Sequence, residues 1–319
     1  MAITIPWTLK ASQLRTIAIK CGIASSCKSK SELTQRLIDE ISSVPKTAPK
    51  TSRILSIDMG IRNLAYCILD VSSRKSSRPS IISWQRLAVS NAPTKSDEPE
   101  LKNMKEAFDP ATLSSAAYAL LRHKLLTHNP DVILIERQRF RSMGARHVFE
   151  WTIRVNMLES MLYAVLHTLR AERLWNGNVN EVAPGKVGPF WIKDKVDEKE
   201  KGGELKKERK SKNAKIKNKG LKIDLVRNWL QNGDMVKSGS QEVDEMAKAY
   251  VAKWDKAPGR RKKGAMEVGK EEEEVDVEKE EMGKLDDLAD SLLQGMAWIR
   301  WQENRRTAMK HGVEALLDS

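Results

Sequence analysis

Arg53-Ile54-Leu55-Ser56-Ile57-Asp58-Met59-Gly60 is an apolar, β-branched run that ends on an acid and then a glycine. It reads as a buried strand, and a carboxylate at the end of such a strand is costly unless something compensates its charge. A second run, Asp131-Val132-Ile133-Leu134-Ile135-Glu136, ends the same way. Far downstream, Leu285-Asp286-Asp287-Leu288-Ala289-Asp290-Ser291-Leu292-Leu293 opens a helical pattern with three acids near its start. Two carboxylates about 4 Å apart, at an effective dielectric of about 20, repel by roughly 4 kcal/mol. A sheet that gathers three or four of them demands a hard divalent cation, and oxygen-only ligation suits Mg²⁺ or Mn²⁺.

Working outward, 53–59, 64–71 and 80–89 are three apolar runs separated by turn-rich segments, and their short connections imply antiparallel neighbours. Asp109-Pro110 is a helix start, cap then first-turn proline, and Asn129-Pro130 ends that helix. A helix of this length before the strand 131–136 is what a parallel crossover requires. Residues 145–172 form a long helix with apolar positions on most faces, and 179–183 a weaker fifth strand. The order is βββαβαβ followed by helices at about 221–232 and 284–306. This is an α/β chain: a mixed sheet, three antiparallel strands then parallel ones, flanked by helices.

The amino-terminal residues read differently. Leu14, Ile17, Ala18 and Cys21 follow the spacing of one buried helix face, and Gly22 stops it. Ser29-Lys30-Ser31-Glu32 is a capping box for a second short helix carrying Leu33, Leu37, Ile38 and Ile41. The first 31 residues hold no acid but carry Lys10, Arg15, Lys20, Lys28 and Lys30, a composition shared by mitochondrial transit segments and folded basic modules. Residues 1–45 are read as a small helical module, 46–52 as a linker, 53–309 as the main domain and 310–319 as a tail. Charged insertions fall at about 189–220 and 256–283. Residues 193–222 hold 13 Lys or Arg among 6 acids, and 271–281 hold 8 acids, too polar to offset the entropy of ordering them in a core.

Over 319 residues, 56 Lys and Arg against 43 Asp and Glu give a net charge of +13, which favours a polyanionic partner. Three cysteines, Cys21, Cys27 and Cys67, fit neither a zinc site nor a disulfide framework, and a reducing compartment is the simplest inference. No apolar run approaches the roughly 20 residues of a membrane span. A metal site on so basic a chain points to phosphodiester hydrolysis.

The Ile57-Asp58-Met59-Gly60 turn, Ile135-Glu136-Arg137 and Asp287-Leu288-Ala289-Asp290 resemble the bacterial RuvC Holliday-junction resolvases, within the RNase H-like fold. Ile135-Glu136-Arg137-Gln138-Arg139-Phe140-Arg141-Ser142 and Asp286 through Gly295 resemble the fungal mitochondrial resolvases of the Cce/Ydc type more closely, over residues 53–305. The pattern Leu14…Gly22…Ser31-Glu32-Leu33…Arg36-Leu37 resembles a SAP motif, a DNA-binding module found in that family. The resemblance implies a mitochondrial endonuclease of DNA recombination that resolves four-way junctions by paired symmetric cuts, leaving 5′-phosphate ends. It implies two Mg²⁺ ions per site, with Mn²⁺ as a substitute, no small-molecule cofactor and no membrane.

On this reading Asp58, Glu136, Asp287 and Asp290 are the catalytic and metal-ligating residues. Asp58 would bridge the ions, and Asp287 and Asp290, at i and i+3, share one helix face. Asp286 points away and serves as cap or support. Arg137, Gln138, Arg139 and Arg141 follow the catalytic strand and are placed to hold junction phosphates. Lys222 and, as its rival, Lys215 are candidates for an accessory lysine. Phe140 and Met143 are read as packing residues. Resolution needs two symmetry-related incisions from one acid cluster per chain, so a two-fold homodimer is expected. Its expected interface is Val148, Trp151, Val155, Leu158, Leu162 and Val165. Two alternatives remain: a non-catalytic DNA-binding protein, which leaves the acids unexplained, and another RNase H-like nuclease. Sugar kinases and actin-like ATPases also begin with an Ile-Asp-x-Gly strand and turn, but the glycine-rich phosphate loops they need are not in this sequence.

Overall fold

A computed structural model describes residues 3–27, 29–73, 77–89, 108–138, 149–200, 210–256 and 273–317, with side chains outside 193–200, 210–217 and 273–284. It divides into two compact units. The first comprises Met1–Lys50, Ala183–Lys222 and Leu293–Ser319, and the second Thr51–Val182 and Ile223–Leu292.

The second unit is built on one sheet of order β5-β4-β1-β2-β3-β6. Its strands are β1 (Thr51–Asp58), β2 (Leu64–Ser72), β3 (Ser80–Leu87), β4 (Val132–Glu136), β5 (Asn178–Val182) and the two-residue β6 (Lys237–Ser238). β1, β2 and β3 are antiparallel, and β4 pairs with β1 and β5 with β4 in parallel. The start of β1 is fixed by Arg53, whose guanidinium donates to both oxygens of Asp70 at 2.6 and 2.7 Å and to the His128 carbonyl. The crossover helix α3 (Pro110–Leu120) begins as expected: Asp109 accepts from the Thr112 amide at 3.0 Å and proline opens the first turn. It continues through a π-helical turn, Leu121–Leu125, and a 3₁₀ turn, Leu126–His128, and Asn129 ends it in the left-handed region at φ 48°. Helix α4 (Glu150–Ala171) packs Val155, Leu158, Leu162, Leu166 and Leu169 against Leu55, Ile57, Ile133 and Ile135 of the sheet.

Three features depart from expectation. Helix α7 (Gln241–Lys256), absent from the sequence reading, buries Val243, Tyr250 and Trp254. Helices α5 (Pro184–Glu200) and α6 (Lys210–Asn232) occupy most of the segment read as a charged insertion. The apolar positions, Val187 and Ile192 in the first half of α5 and Ile223, Val226 and Trp229 in the second half of α6, are all buried. The expected dimer interface is also revised: Val155, Leu158 and Leu162 are consumed by the chain's own core, with Val165 packed against it. Val148 lies outside the described residues, and Trp151 is exposed.

In the first unit, α1 (Ala11–Lys20) and α2 (Lys30–Ser42) form the expected pair, with Gly22 at φ +64° and Ser29 accepting from the Glu32 amide. Their contacts run past the expected boundary at residue 45. Leu14, Ile17, Cys21, Leu33, Leu37 and Ile41 share one core with Ala308, Val313 and Leu316 beyond and within the end of α8 (Glu273–His311). Three successive carbonyls closing α1 are taken by side chains from elsewhere in the unit: Lys20 by Asn304 at 2.6 Å, Cys21 by Arg305 at 2.8 Å, Gly22 by Lys186 at 2.9 Å. Arg305 is buried and also reaches Glu40.

Candidate active site

The parallel register of β1 and β4, Ile57 opposite Ile135, places the next residue of each strand side by side at one end of the sheet. Those residues are Asp58 and Glu136. Their carboxyl groups are hydrogen-bonded to each other. Burial, followed by the negative charges of Glu136, Asp290 and Asp287, holds the Asp58 carboxyl well above the usual carboxylate range. The other three acids read from the sequence therefore all act on Asp58 in space. Gly60 makes the turn that carries Asp58 possible, since a Cβ there would meet the Asn63 carbonyl oxygen at 2.9 Å.

The α8 acids are set from β3. Trp84 donates from Nε1 to the Leu288 carbonyl at 3.0 Å, fixing the turn between Asp287 and Asp290. Arg86 donates to Asp287 Oδ2 at 3.0 Å and also to Asn63. Asp286 is buried, and the Tyr250 hydroxyl is kept protonated by burial first and then by the charges of Asp286 and Asp290. The sequence reading missed Trp84, Arg86 and Tyr250. For Arg86 the signal was available: it is the one cation in the run 80–89, one residue before the end of β3.

As placed, the acids are gathered without being closed: among the described residues no three His, Cys, Asp or Glu side chains converge as ligands of one ion. The set still fits a divalent cation by its chemistry. Half-buried, all-oxygen carboxyls whose charges oppose one another, with Asp58 and Glu136 sharing a proton, are what such a cation neutralises.

The flanking candidates have distinct surroundings. Arg137 is exposed and paired with Glu181 at 3.1 Å, and its amide continues the sheet to the Val182 carbonyl. Gln138 is tied inward, its amide donating to Glu159 at 3.1 Å and its side chain to the Glu136 carbonyl. Arg139 and Arg141, with Phe140 and Met143, lie outside the described residues, as does the side chain of Lys215. Lys222 is half-buried and belongs to the first unit, whereas the four acids belong to the second.

A family described as mitochondrial resolvase Ydc2 / RNA splicing MRS1, catalytic domain, matches residues 54–308. A Schizosaccharomyces pombe protein, cruciform cutting endonuclease 1, mitochondrial, is 38% identical over 158 residues, covering 50% of this chain and 55% of that protein. The chain thus spans about half the length of that relative. The Saccharomyces cerevisiae protein of the same name is 22% identical over 312 residues, covering 92% and 82%. The crystal structure of the yeast mitochondrial Holliday junction resolvase Ydc2 superposes with a TM-score of 0.58 at 27% identity, over 98% of this chain and 99% of that one. The mixed six-stranded sheet, with its acids at one end, has the fold of that Ydc2 structure. The chain belongs to the Ydc2 / MRS1 family.

Proposed function

We propose that the chain is a structure-selective endonuclease that resolves four-way DNA junctions in mitochondrial recombination, acting as a homodimer. The observation that carries this reading is the gathering of Asp58, Glu136, Asp287 and Asp290 at one sheet end, in a chain of this family. The compartment is the one in the names of both relatives. The family's description joins resolvases with RNA splicing proteins. The complete acid set favours hydrolysis here, because nucleic-acid binding alone has no use for four half-buried carboxyls whose charges oppose one another.

Asp58, Glu136, Asp287 and Asp290 would hold Mg²⁺, two ions per site, with Mn²⁺ as substitute. Bound ions supply an activated water at neutral pH and Lewis-acid stabilisation of the leaving 3′ oxygen. For Asp58 to serve as a ligand, the proton it shares with Glu136 must leave. Arg86 must then share Asp287, and its hydrogen bond to Asn63 keeps it at hand to do so. Arg137, Arg139 and Arg141 hold junction phosphates, Gln138 is anchored by its bonds to Glu159 and Glu136, and the α1–α2 pair is a SAP-like module contacting DNA arms. Lys222 or Lys215 is the accessory lysine. Each cut leaves a 5′-phosphate and a ligatable nick, and a second copy makes the partner cut. On α4 the face left for that copy is lined by Ile153, Met157, Ser160, Met161 and Ala164.

The test is an immobile synthetic four-way junction with Mg²⁺, then with EDTA. Paired symmetric nicks that require the metal are expected. Tight RNA or DNA binding without nicking in Mg²⁺ or Mn²⁺ would overturn the reading.

A further inference from the structure

Tyr250, the middle member of the α7 stripe, is fully buried, and its hydroxyl makes no hydrogen bond among the described residues. A buried donor left without an acceptor is costly, and folded proteins keep few of them. A phenylalanine would fill the same space without that cost. The surroundings of the hydroxyl give it a use. Burial and then the charges of Asp286, Asp290 and Asp224, in that order, hold it protonated, so it meets carboxylates as a donor. Asp224 accepts from Trp254 Nε1 at 2.7 Å. Asp286 is itself buried, and it is the acid at the start of the α8 series that the metal reading leaves without a role.

These groups all belong to the second unit. Trp84 and Arg86, two apart on β3, both reach α8: Trp84 donates to the Leu288 carbonyl and Arg86 to Asp287, each at 3.0 Å. The Tyr250 ring lies against Trp84, with centroids 5.1 Å apart and planes inclined at 41°. One tryptophan therefore fixes both the α8 turn and the ring that carries the hydroxyl. Asp286 and Asp290, at i and i+4, share one face of that helix.

We propose that Tyr250 is a positioning residue of the acid site: its hydroxyl becomes the hydrogen-bond donor to Asp286 when the acids close on a divalent cation, and so holds the α8 face that carries Asp290. The proposal rests on the metal reading of the four acids. As placed, no three acids among the described residues converge on one ion, so binding one requires their side chains to shift. A donor that gains its acceptor in the shifted arrangement favours that arrangement over the present one. A side chain that only fills the core would favour neither.

The test measures Mg²⁺ affinity by calorimetric titration, with melting temperature and junction affinity in EDTA, for wild type, Tyr250→Phe, Asp286→Ala and the double variant. Tyr250→Phe keeps the ring on Trp84 and removes only the hydroxyl. It is expected to melt no lower than wild type in EDTA and to bind the junction equally, yet to bind Mg²⁺ about tenfold more weakly. In the Asp286→Ala background the same substitution should change Mg²⁺ affinity by less than about twofold. Unchanged Mg²⁺ affinity in Tyr250→Phe, or equal losses in both backgrounds, would overturn the proposal. So would a lower melting temperature in EDTA, since the hydroxyl would then have its partner without the metal. If Asp286→Ala fails to fold, Tyr250→Phe alone decides, because core filling cannot spare stability while weakening metal binding. A wild type that binds Mg²⁺ with this dependence but leaves a four-way junction uncut would instead overturn the junction-cleaving reading.

Discussion

At Asp58 the metal-free protein retains a proton that an ordinary aspartate gives up, because burial and then Glu136, Asp290 and Asp287 oppose its charge. In the unfolded chain the same group titrates near the usual value of about 3.9. Between that value and the raised folded one, the folded state binds more protons, so stability falls as pH rises through the window. Thermal melts in EDTA at pH 5 and pH 8 should show the loss, and Asp58→Asn should flatten it and raise the melting temperature at pH 8 by a few degrees. The same variant should keep junction binding, which rests on Lys and Arg contacts to phosphate, while cleavage falls by orders of magnitude. Parallel loss of binding and cleavage would make Asp58 a purely structural residue. Arg86 gives a second test. Removing a partly buried cation 3.0 Å from Asp287 costs roughly 1 kcal/mol of metal-free stability. It also removes the competitor for that carboxylate. Arg86→Ala should therefore melt a few degrees lower in EDTA yet bind Mg²⁺ more tightly by calorimetric titration.

Among the elements, β1, β2, β3 and β4 and the cap of α3 were legible because continuous apolar, β-branched runs, turn residues and Asp-Pro each act over a few neighbours. The acids on α8 were legible for the same reason, as i, i+3 spacing places them on one face. Helix α7 was not. Its buried positions, Val243, Tyr250 and Trp254, are seven and four apart among Glu, Asp and Lys, and only their tertiary contacts with β3, such as the 5.1 Å approach of Tyr250 to Trp84, give that stripe weight. The reach of α1 and α2 was equally invisible, since their spacing predicts buried faces but not what covers them. Sequence alone makes residues 1–45 separable, their removal weakening DNA affinity or altering junction positioning without abolishing cleavage. In the structure the deletion strips apolar cover from Ala308, Val313 and Leu316 and takes from buried Arg305 both the Cys21 carbonyl and Glu40. Leaving the buried Arg305 donors without those partners costs about 1–3 kcal/mol. The truncated chain should therefore melt at least several degrees lower and become protease-sensitive within 293–317. A truncation as stable as the full chain would show that these contacts contribute nothing.

For the whole molecule, the excess of 13 positive charges makes DNA affinity fall steeply with salt, whatever the DNA's shape. On the proposed function, shape preference and paired cutting would come from the acid sites and the two-fold symmetry of the dimer. A mixed dimer with one Asp58→Asn protomer should nick a supercoiled cruciform plasmid without linearising it. Efficient linearisation by a demonstrated monomer would sink the homodimer.

The three thiols are unequal in a way that the fold alone decides. Cys21 is sealed in the first unit, where burial pushes its thiol up to about 12, and Cys67 lies within β2, where burial pushes it higher still. Cys27 is only half-buried. A maleimide offered to the native chain should therefore modify one cysteine quickly and spare two, since the thiolate is the reacting form. A fluorophore can be attached beside the α1–α2 pair of the natural sequence with no cysteine engineered in or out. The ratio of fast to total thiols, one in three when folded and three in three in denaturant, becomes a simple assay of whether a preparation is intact.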